Sequence, residues 1–145
     1  MNSVSENTRE VFEKSLQRCT ANSGFFDLFY DTFLSSAPKV KAKFAHTDFD
    51  RQKRMLERSF RLILWASEDP EKGPERYLEH LAVRHSARDL DIGSEYYDLW
   101  LDSLLAAVRE CDPECNHEVE DSWEQVMGIG IDYMVRSYRQ VGPPP

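Results

Sequence analysis

The stretch EHLAVRHSARDLDI, residues 79–92, sets a histidine in line with the apolar side chains of a predicted core. Leu81, Ala82 and His85 fall on one face of a predicted helix, which should end within a few residues of His85. The chain contains only four histidines. Because a buried imidazole needs a polar partner, we expect a partner for the His85 ring opposite this face.

The composition indicates one folded domain with an acidic balance of charge. The chain has 145 residues, of which 41% are hydrophobic and 12% aromatic, which is too apolar for a disordered chain and enough for one core. Its 18 Lys and Arg against 26 Asp and Glu give a net charge of −8. This charge disfavours nucleic acid and anionic membrane surfaces as partners. We predict a single domain over residues 1–145, ordered from about 5 to 140, with a flexible Pro-rich tail at 141–145.

The sequence shows no signal for export or for a disulfide framework. No apolar run approaches the ~18 residues that a membrane span needs, and the first residues, MNSVSENTRE, lack the basic and apolar regions of a signal peptide. We therefore expect a cytoplasmic protein. The chain has three cysteines, an odd number: Cys19, Cys111 and Cys115. We expect reduced thiols rather than disulfides or a zinc site.

Apolar residues recur with the helical period along most of the chain, and strand signals are scarce. We predict an all-α domain of six to eight helices. The start and stop signals place them at about residues 5–20, 24–36, 38–44, 48–67, 74–87, 94–110 and 117–140.

Four stretches resemble the globin family, above all the single-domain bacterial haemoglobins and the haem domain of flavohaemoglobins. They are FYDTFLSSAPKVKAKF (29–44), TDFDRQKRML (47–56), LEHLAVRHS (78–86) and YYDLWLDSLLAAV (96–108). The resemblance extends over nearly the whole chain. It implies a three-on-three helical globin fold around a pocket for haem b, iron protoporphyrin IX.

The resemblance makes His85 the protein ligand of the haem iron. His85 would bind through Nε2, while its Nδ1–H would donate to a backbone carbonyl about one turn earlier, near Leu81, and so fix the tautomer. Phe44 would lie flat against the porphyrin. Leu56 and Phe60 would add apolar wall to the pocket.

On the distal side the resemblance places two polar residues, Tyr30 and Gln52. A phenol O–H and an amide N–H would stabilise the partial negative charge of bound dioxygen, each by about 1.5–3 kcal/mol, so we expect tight binding and slow release. A shift of register would put Arg51 or Met55 in place of Gln52. His46 comes too early for a distal histidine, and two-histidine coordination is not expected.

Several cations could pair with the haem propionates at the mouth of the pocket. Arg84 and Arg88 flank His85 and are the first candidates, although solvated surface charge explains them equally well. Lys53 and Arg54 are weaker candidates.

Flavohaemoglobins support the proximal histidine with a tyrosine and a glutamate, and only the tyrosine has a match here. Tyr97 matches it better than Tyr96 does. Counting along the last helix puts the place of the glutamate near Tyr138, and Asp132 is the only carboxylate in the second half of that helix. We therefore expect a weaker electronic push on the ligand than in flavohaemoglobins.

Three functions follow from this resemblance. The first is reversible binding of dioxygen, with nitric oxide and carbon monoxide as further ligands. The second is a nitric oxide dioxygenase that receives electrons from a reductase in trans, and the third is a haem-based gas sensor. We assign no catalytic residue.

Overall fold

Helices make up the regular secondary structure in the computed structural model, which describes residues 4–139. Within these residues there are seven helices and no strand, which confirms the all-α prediction. The helices are α1 (Glu6–Ala21), α2 (Phe25–Ser36), α3 (Pro38–Lys43), α4 (Phe49–Ala66), α5 (Gly73–His85), α6 (Ser94–Cys111) and α7 (His117–Ser137). The predicted flexible tail at 141–145 lies outside the described residues.

The helix boundaries follow from local capping chemistry. Ser5, Asp48 and Asn116 precede α1, α4 and α7, and the side chain of each accepts hydrogen bonds from backbone N–H groups of the first turn. The long helix α4 therefore begins one residue after the predicted start at 48. The predicted end of the last helix at 140 also lies outside the described residues.

Aromatic residues hold the helices together in one core. The Trp123 ring on α7 lies 4.7 Å from the ring of Phe12 on α1 and 5.4 Å from that of Phe60 on α4, measured between centroids. Around this centre α2 packs along α6, α1 against α7, and α5 against both α4 and α7. No helix within residues 4–139 is both long enough and apolar enough to span a membrane.

Two glycines allow close approaches that fix α4 relative to its neighbours. At Gly73, the first residue of α5, an added Cβ would overlap the backbone of Ala66 at the end of α4. At Gly130 on α7, an added Cβ would lie 2.9 Å from Cδ1 of Ile63 on α4. These contacts set the positions of α4 and α5, which carry Gln52 and His85.

Candidate functional site

His85 is the last residue of α5, and its ring is oriented by its own helix. Nδ1 lies 2.8 Å from the carbonyl oxygen of Leu81. A carbonyl only accepts hydrogen bonds, so Nδ1 carries the proton and Nε2 carries the lone pair. Burial lowers the pKa of His85 below its ordinary value, and the charge of Arg84 lowers it further, against the opposing effect of the Leu81 carbonyl. The side chain is thus a neutral imidazole with Nε2 available to a metal.

The chain after His85 turns back and is held by several backbone bonds. The helix ends at His85, two residues before the predicted end, because Ser86 adopts an extended conformation and its hydroxyl bonds to Val83. The Ile92 N–H then donates to the His85 carbonyl at 3.0 Å. Asp91 adopts a left-handed conformation at φ 57°, which aspartate tolerates better than most residues.

The end of α7 also holds this loop. The backbone carbonyl of Tyr138 accepts from the Ala87 N–H at 2.9 Å, and the Tyr138 hydroxyl donates to the Asp91 carboxylate. The loop that follows His85 is therefore held by hydrogen bonds among its own residues and to the end of α7.

Phe44 lies at the end of α3 in a group of four aromatic rings. Its centroid is 5.8 Å from Phe33, 6.0 Å from Tyr30 and 6.0 Å from Phe49. Phe44 itself is half-buried. Phe33 and Phe49 were not among the predicted site residues, although both lie on the inward face of their helices.

Tyr30 and Gln52 come together between α2 and α4. The Tyr30 side chain is buried, and its hydroxyl donates to the backbone carbonyl of Gln52 at 3.5 Å, the outer limit of a hydrogen bond. Burial raises the pKa of Tyr30 to about 12 against a smaller opposing effect of the bond to Gln52. Gln52 is half-buried, whereas Arg51 and Met55 are exposed. Gln52 is therefore less exposed than either alternative, and its backbone lies beside Tyr30; its distal role stays a prediction.

Leu56 and Phe60 lie on the inward face of α4, and Phe60 is buried more deeply than Leu56. Leu56 is buried one turn after Gln52. Phe60 is fully buried and stands among the rings of Phe26, Trp100 and Trp123. Their roles as pocket wall stay predictions.

Tyr97 points inward from α6 and meets a methionine of α7. Its hydroxyl donates to Sδ of Met134 at 3.5 Å, and the two residues form a small apolar cluster with Ala82 of α5. Burial raises the pKa of Tyr97 above its ordinary value. Tyr96, by contrast, faces α3, where Nζ of Lys39 lies 5.0 Å from its ring centroid.

The residue that meets Tyr97 was not singled out by the sequence. It is Met134, one helical turn before Tyr138, near which the sequence count places the supporting glutamate. Tyr138 bonds to Asp91, and Asp132 is an exposed partner of Arg136 at 2.9 Å.

The lysine and arginine side chains predicted to bind the haem propionates differ in their ion pairs and exposure. Nη1 of Arg84 lies 2.8 Å from the carboxylate of Asp89 in the same loop. Lys53 forms an ion pair with Asp27. Arg54 and Arg88 are exposed. Lys43, which was not predicted, reaches from the end of α3 to the loop after His85 and donates to the Leu90 carbonyl at 2.8 Å.

A comparison with solved structures found a close relative. The chain is 40% identical to a Pseudomonas aeruginosa PAO1 protein whose crystal structure is described as structurally highly homologous to a human hemoglobin. The two superpose with a TM-score of 0.85, and the match covers 92% of this chain and 99% of that one. Comparisons with protein-family models and with curated proteins found no match.

Proposed function

The chain belongs to the globin family, and we propose that it holds haem b through His85 and binds dioxygen reversibly. The observation that carries this proposal is the orientation of His85. Its Nδ1 is engaged by the Leu81 carbonyl at 2.8 Å, and no hydrogen bond engages Nε2 within residues 4–139. A neutral imidazole fixed in this tautomer is the ligand that haem iron takes in globins.

The side chains that the resemblance assigns to the pocket suit a porphyrin. Phe44 is half-buried beside Tyr30 and Phe49, and its ring would stack on the porphyrin. Leu56 of α4 and Leu81 of α5 would add apolar surface to the pocket. Haem bound here would supply an iron that takes dioxygen, nitric oxide or carbon monoxide.

Tyr30 and Gln52 would supply the hydrogen-bond donors for a gas molecule bound at the iron. With a pKa of about 12, the Tyr30 phenol keeps its proton at neutral pH. The hydrogen bond from its hydroxyl to the Gln52 carbonyl is long, at 3.5 Å. Little free energy is therefore lost when the hydroxyl turns to donate to a bound gas molecule instead. Each such bond would stabilise dioxygen by about 1.5–3 kcal/mol.

Arg84 and Arg88 remain our candidates for the haem propionates. Arg84 directly precedes His85 in the chain, and Arg88 follows it by three residues. A propionate could replace Asp89 as the ion-pair partner of Arg84. At an exposed pair the exchange would cost little, because such pairs contribute only about 0.2–1 kcal/mol.

We favour gas binding over nitric oxide dioxygenase activity because of Met134. A dioxygenase cycle would need a reductase in trans and a strongly donating proximal imidazole. The thioether of Met134, not a carboxylate, meets Tyr97 beside α5. A neutral sulfur adds little electron density to the ligand.

Visible spectra of the purified protein test the proposal. We expect the wild type to bind one haem and to show a five-coordinate ferrous spectrum that changes on addition of carbon monoxide. His85→Ala should lose this spectrum. His80→Ala is the matched control, because His80 lies on the same helix and is exposed. If His85→Ala binds haem and carbon monoxide as the wild type does, the assignment is wrong.

A further inference from the structure

The outer face of α4 carries a row of arginines. Arg51, Arg54, Arg58 and Arg61, here called the arginine row, follow one another at intervals of three or four residues, so they share one side of the helix. All four are exposed. Trp65 continues the row by one turn and is 48% exposed. The buried residues Leu56 and Phe60 occupy the opposite side.

Three arginines of this row have no partner in the part of the chain that the structure describes. Arg61 lies 3.1 Å from Glu57, but no ion pair or side-chain hydrogen bond of Arg51, Arg54 or Arg58 occurs within residues 4–139. Elsewhere, cations pair as Arg18 with Asp112, Lys39 with Glu95, Lys53 with Asp27, Arg84 with Asp89, Arg109 with Glu120 and Arg136 with Asp132.

The arginine row therefore concentrates positive charge on one face of an acidic chain. The chain as a whole carries a net charge of −8, yet this face presents three cations that form no ion pair with a carboxylate of the described residues. Such a local field attracts a negatively charged surface and orients it on approach.

The kinds of residue on this face favour a protein over other polyanions. The planar guanidinium group forms paired hydrogen bonds with carboxylates. Met55, beside the row, is 47% exposed, and the Trp65 ring lies 6.0 Å from that of Tyr77. Arginine, methionine and tryptophan are the types enriched at protein interfaces. A nucleic acid or an anionic bilayer, in contrast, extends far beyond the row and meets the repulsion of the remaining acidic surface.

We propose that the arginine row and Trp65 form a docking surface for an acidic protein. Carboxylates of the partner would pair with Arg51, Arg54 and Arg58, and Trp65 would pack against an apolar side chain at the end of the contact. The surface is the outside of the helix that presents Gln52 on its inside. This inference does not depend on haem, so it can fail or succeed independently of the proposed function.

Binding of a synthetic acidic peptide tests the proposal. The probe is a fluorescent peptide of repeated Glu-Glu-Leu units, titrated with the protein at low and at physiological ionic strength. Changing Arg51, Arg54 and Arg58 together to Gln should weaken binding by about tenfold or more. The same three positions changed to Lys keep the charge but lose the paired hydrogen bonds, and should give a smaller loss. Trp65→Ala should weaken binding without changing its salt dependence.

A matched triple variant separates the row from net charge. Lys14, Lys72 and Arg76 are exposed and have no ion pair within the described residues, and changing all three to Gln removes the same charge. This control should bind the peptide within about twofold of the wild type. Circular dichroism would verify that all variants keep their helices.

Three results would overturn the proposal. The first is an absence of peptide binding to the wild type at low salt. The second is an equal loss in the control variant, which would assign the effect to net charge. The third is tighter binding, with the same sensitivity to the row variant, of duplex DNA or of phosphatidylserine vesicles, which would assign the face to another class of partner.

Discussion

The hydroxyl of Tyr97 donates a hydrogen bond to the sulfur of Met134 at 3.5 Å, next to the helix that carries His85. A thioether is a weak acceptor with no charge. Ala82 of α5 is the third member of this cluster, so at this point α5 packs against two uncharged side chains of α6 and α7.

Met134→Glu should place a carboxylate beside Tyr97. If haem binds as proposed, a negative charge in this position would stabilise its ferric over its ferrous state, and we expect the reduction potential to fall by about 60 mV, for a tenfold change in relative stability. Burying the carboxyl group should also destabilise the fold by about 1–3 kcal/mol. Met134→Gln is the neutral control of similar size. Equal potentials for the Glu and Gln variants, measured by spectroelectrochemistry, would show that charge at this position does not reach the haem.

Removing the donors at Tyr30 or Gln52 should speed the release of dioxygen. Each bond contributes about 1.5–3 kcal/mol, so Tyr30→Phe and Gln52→Ala should each raise the dissociation rate by about ten- to a hundredfold. Stopped-flow displacement by carbon monoxide measures this rate. Tyr96→Phe is the control, because its ring faces Lys39 on the surface. If neither substitution changes the rate, the distal assignment is wrong.

The helices were predictable from sequence because each carries its own signals. The apolar period of α4 shows its inner face, and Asp48 supplies the cap at its start, so the prediction came within one residue at each end. The half-buried position of Gln52 follows from the same period, since Leu56 lies one turn later on that face.

Contacts between distant parts of the chain were not predictable in the same way. A helical period tells which face of α7 points inward, but not which of its residues meets Tyr97, and so Met134 was missed. The bonds of Asp112 are another case, because they join residues separated by 94 or 97 positions. Neither pattern nor propensity indicates such pairs.

Asp112 should support the fold at neutral pH and lose this effect in acid. It is buried at the end of α6, where it accepts from Arg18 at 2.6 and 2.9 Å and from Ser15 at 2.6 Å. Burial alone would raise the pKa of Asp112, but the bonds from Arg18, Ser15 and the Glu114 N–H outweigh it and hold the pKa below its ordinary value. The stabilisation is therefore complete above the unfolded pKa of about 3.9 and is lost as pH falls through the lower folded value.

Asp112→Asn should lower the free energy of unfolding by about 2–3 kcal/mol at pH 7. The loss is smaller than for a fully buried pair, because the Arg18 side chain is 24% exposed and stays partly hydrated. Urea unfolding at pH 7 and pH 3 measures the difference between variant and wild type, which should shrink at the lower pH. Asp98→Asn is the control at an exposed site. A difference that stays constant with pH would exclude the ionised carboxylate as its source.

Adding a methyl group at two glycines should change stability in opposite directions. Gly73→Ala would push Cβ into the backbone of Ala66 and separate the ends of α4 and α5, at a cost of about 1–3 kcal/mol. Gly128→Ala meets no atom within 4 Å on α7 and should stabilise the helix by about 0.5–1 kcal/mol. Thermal and urea unfolding of both variants measure these changes.

Because Gly73 sets where α5 begins against α4, we also expect Gly73→Ala to weaken haem retention, measured by transfer to a haem-free acceptor globin. Retention equal to that of Gly128→Ala would show that the position of His85 does not depend on this contact.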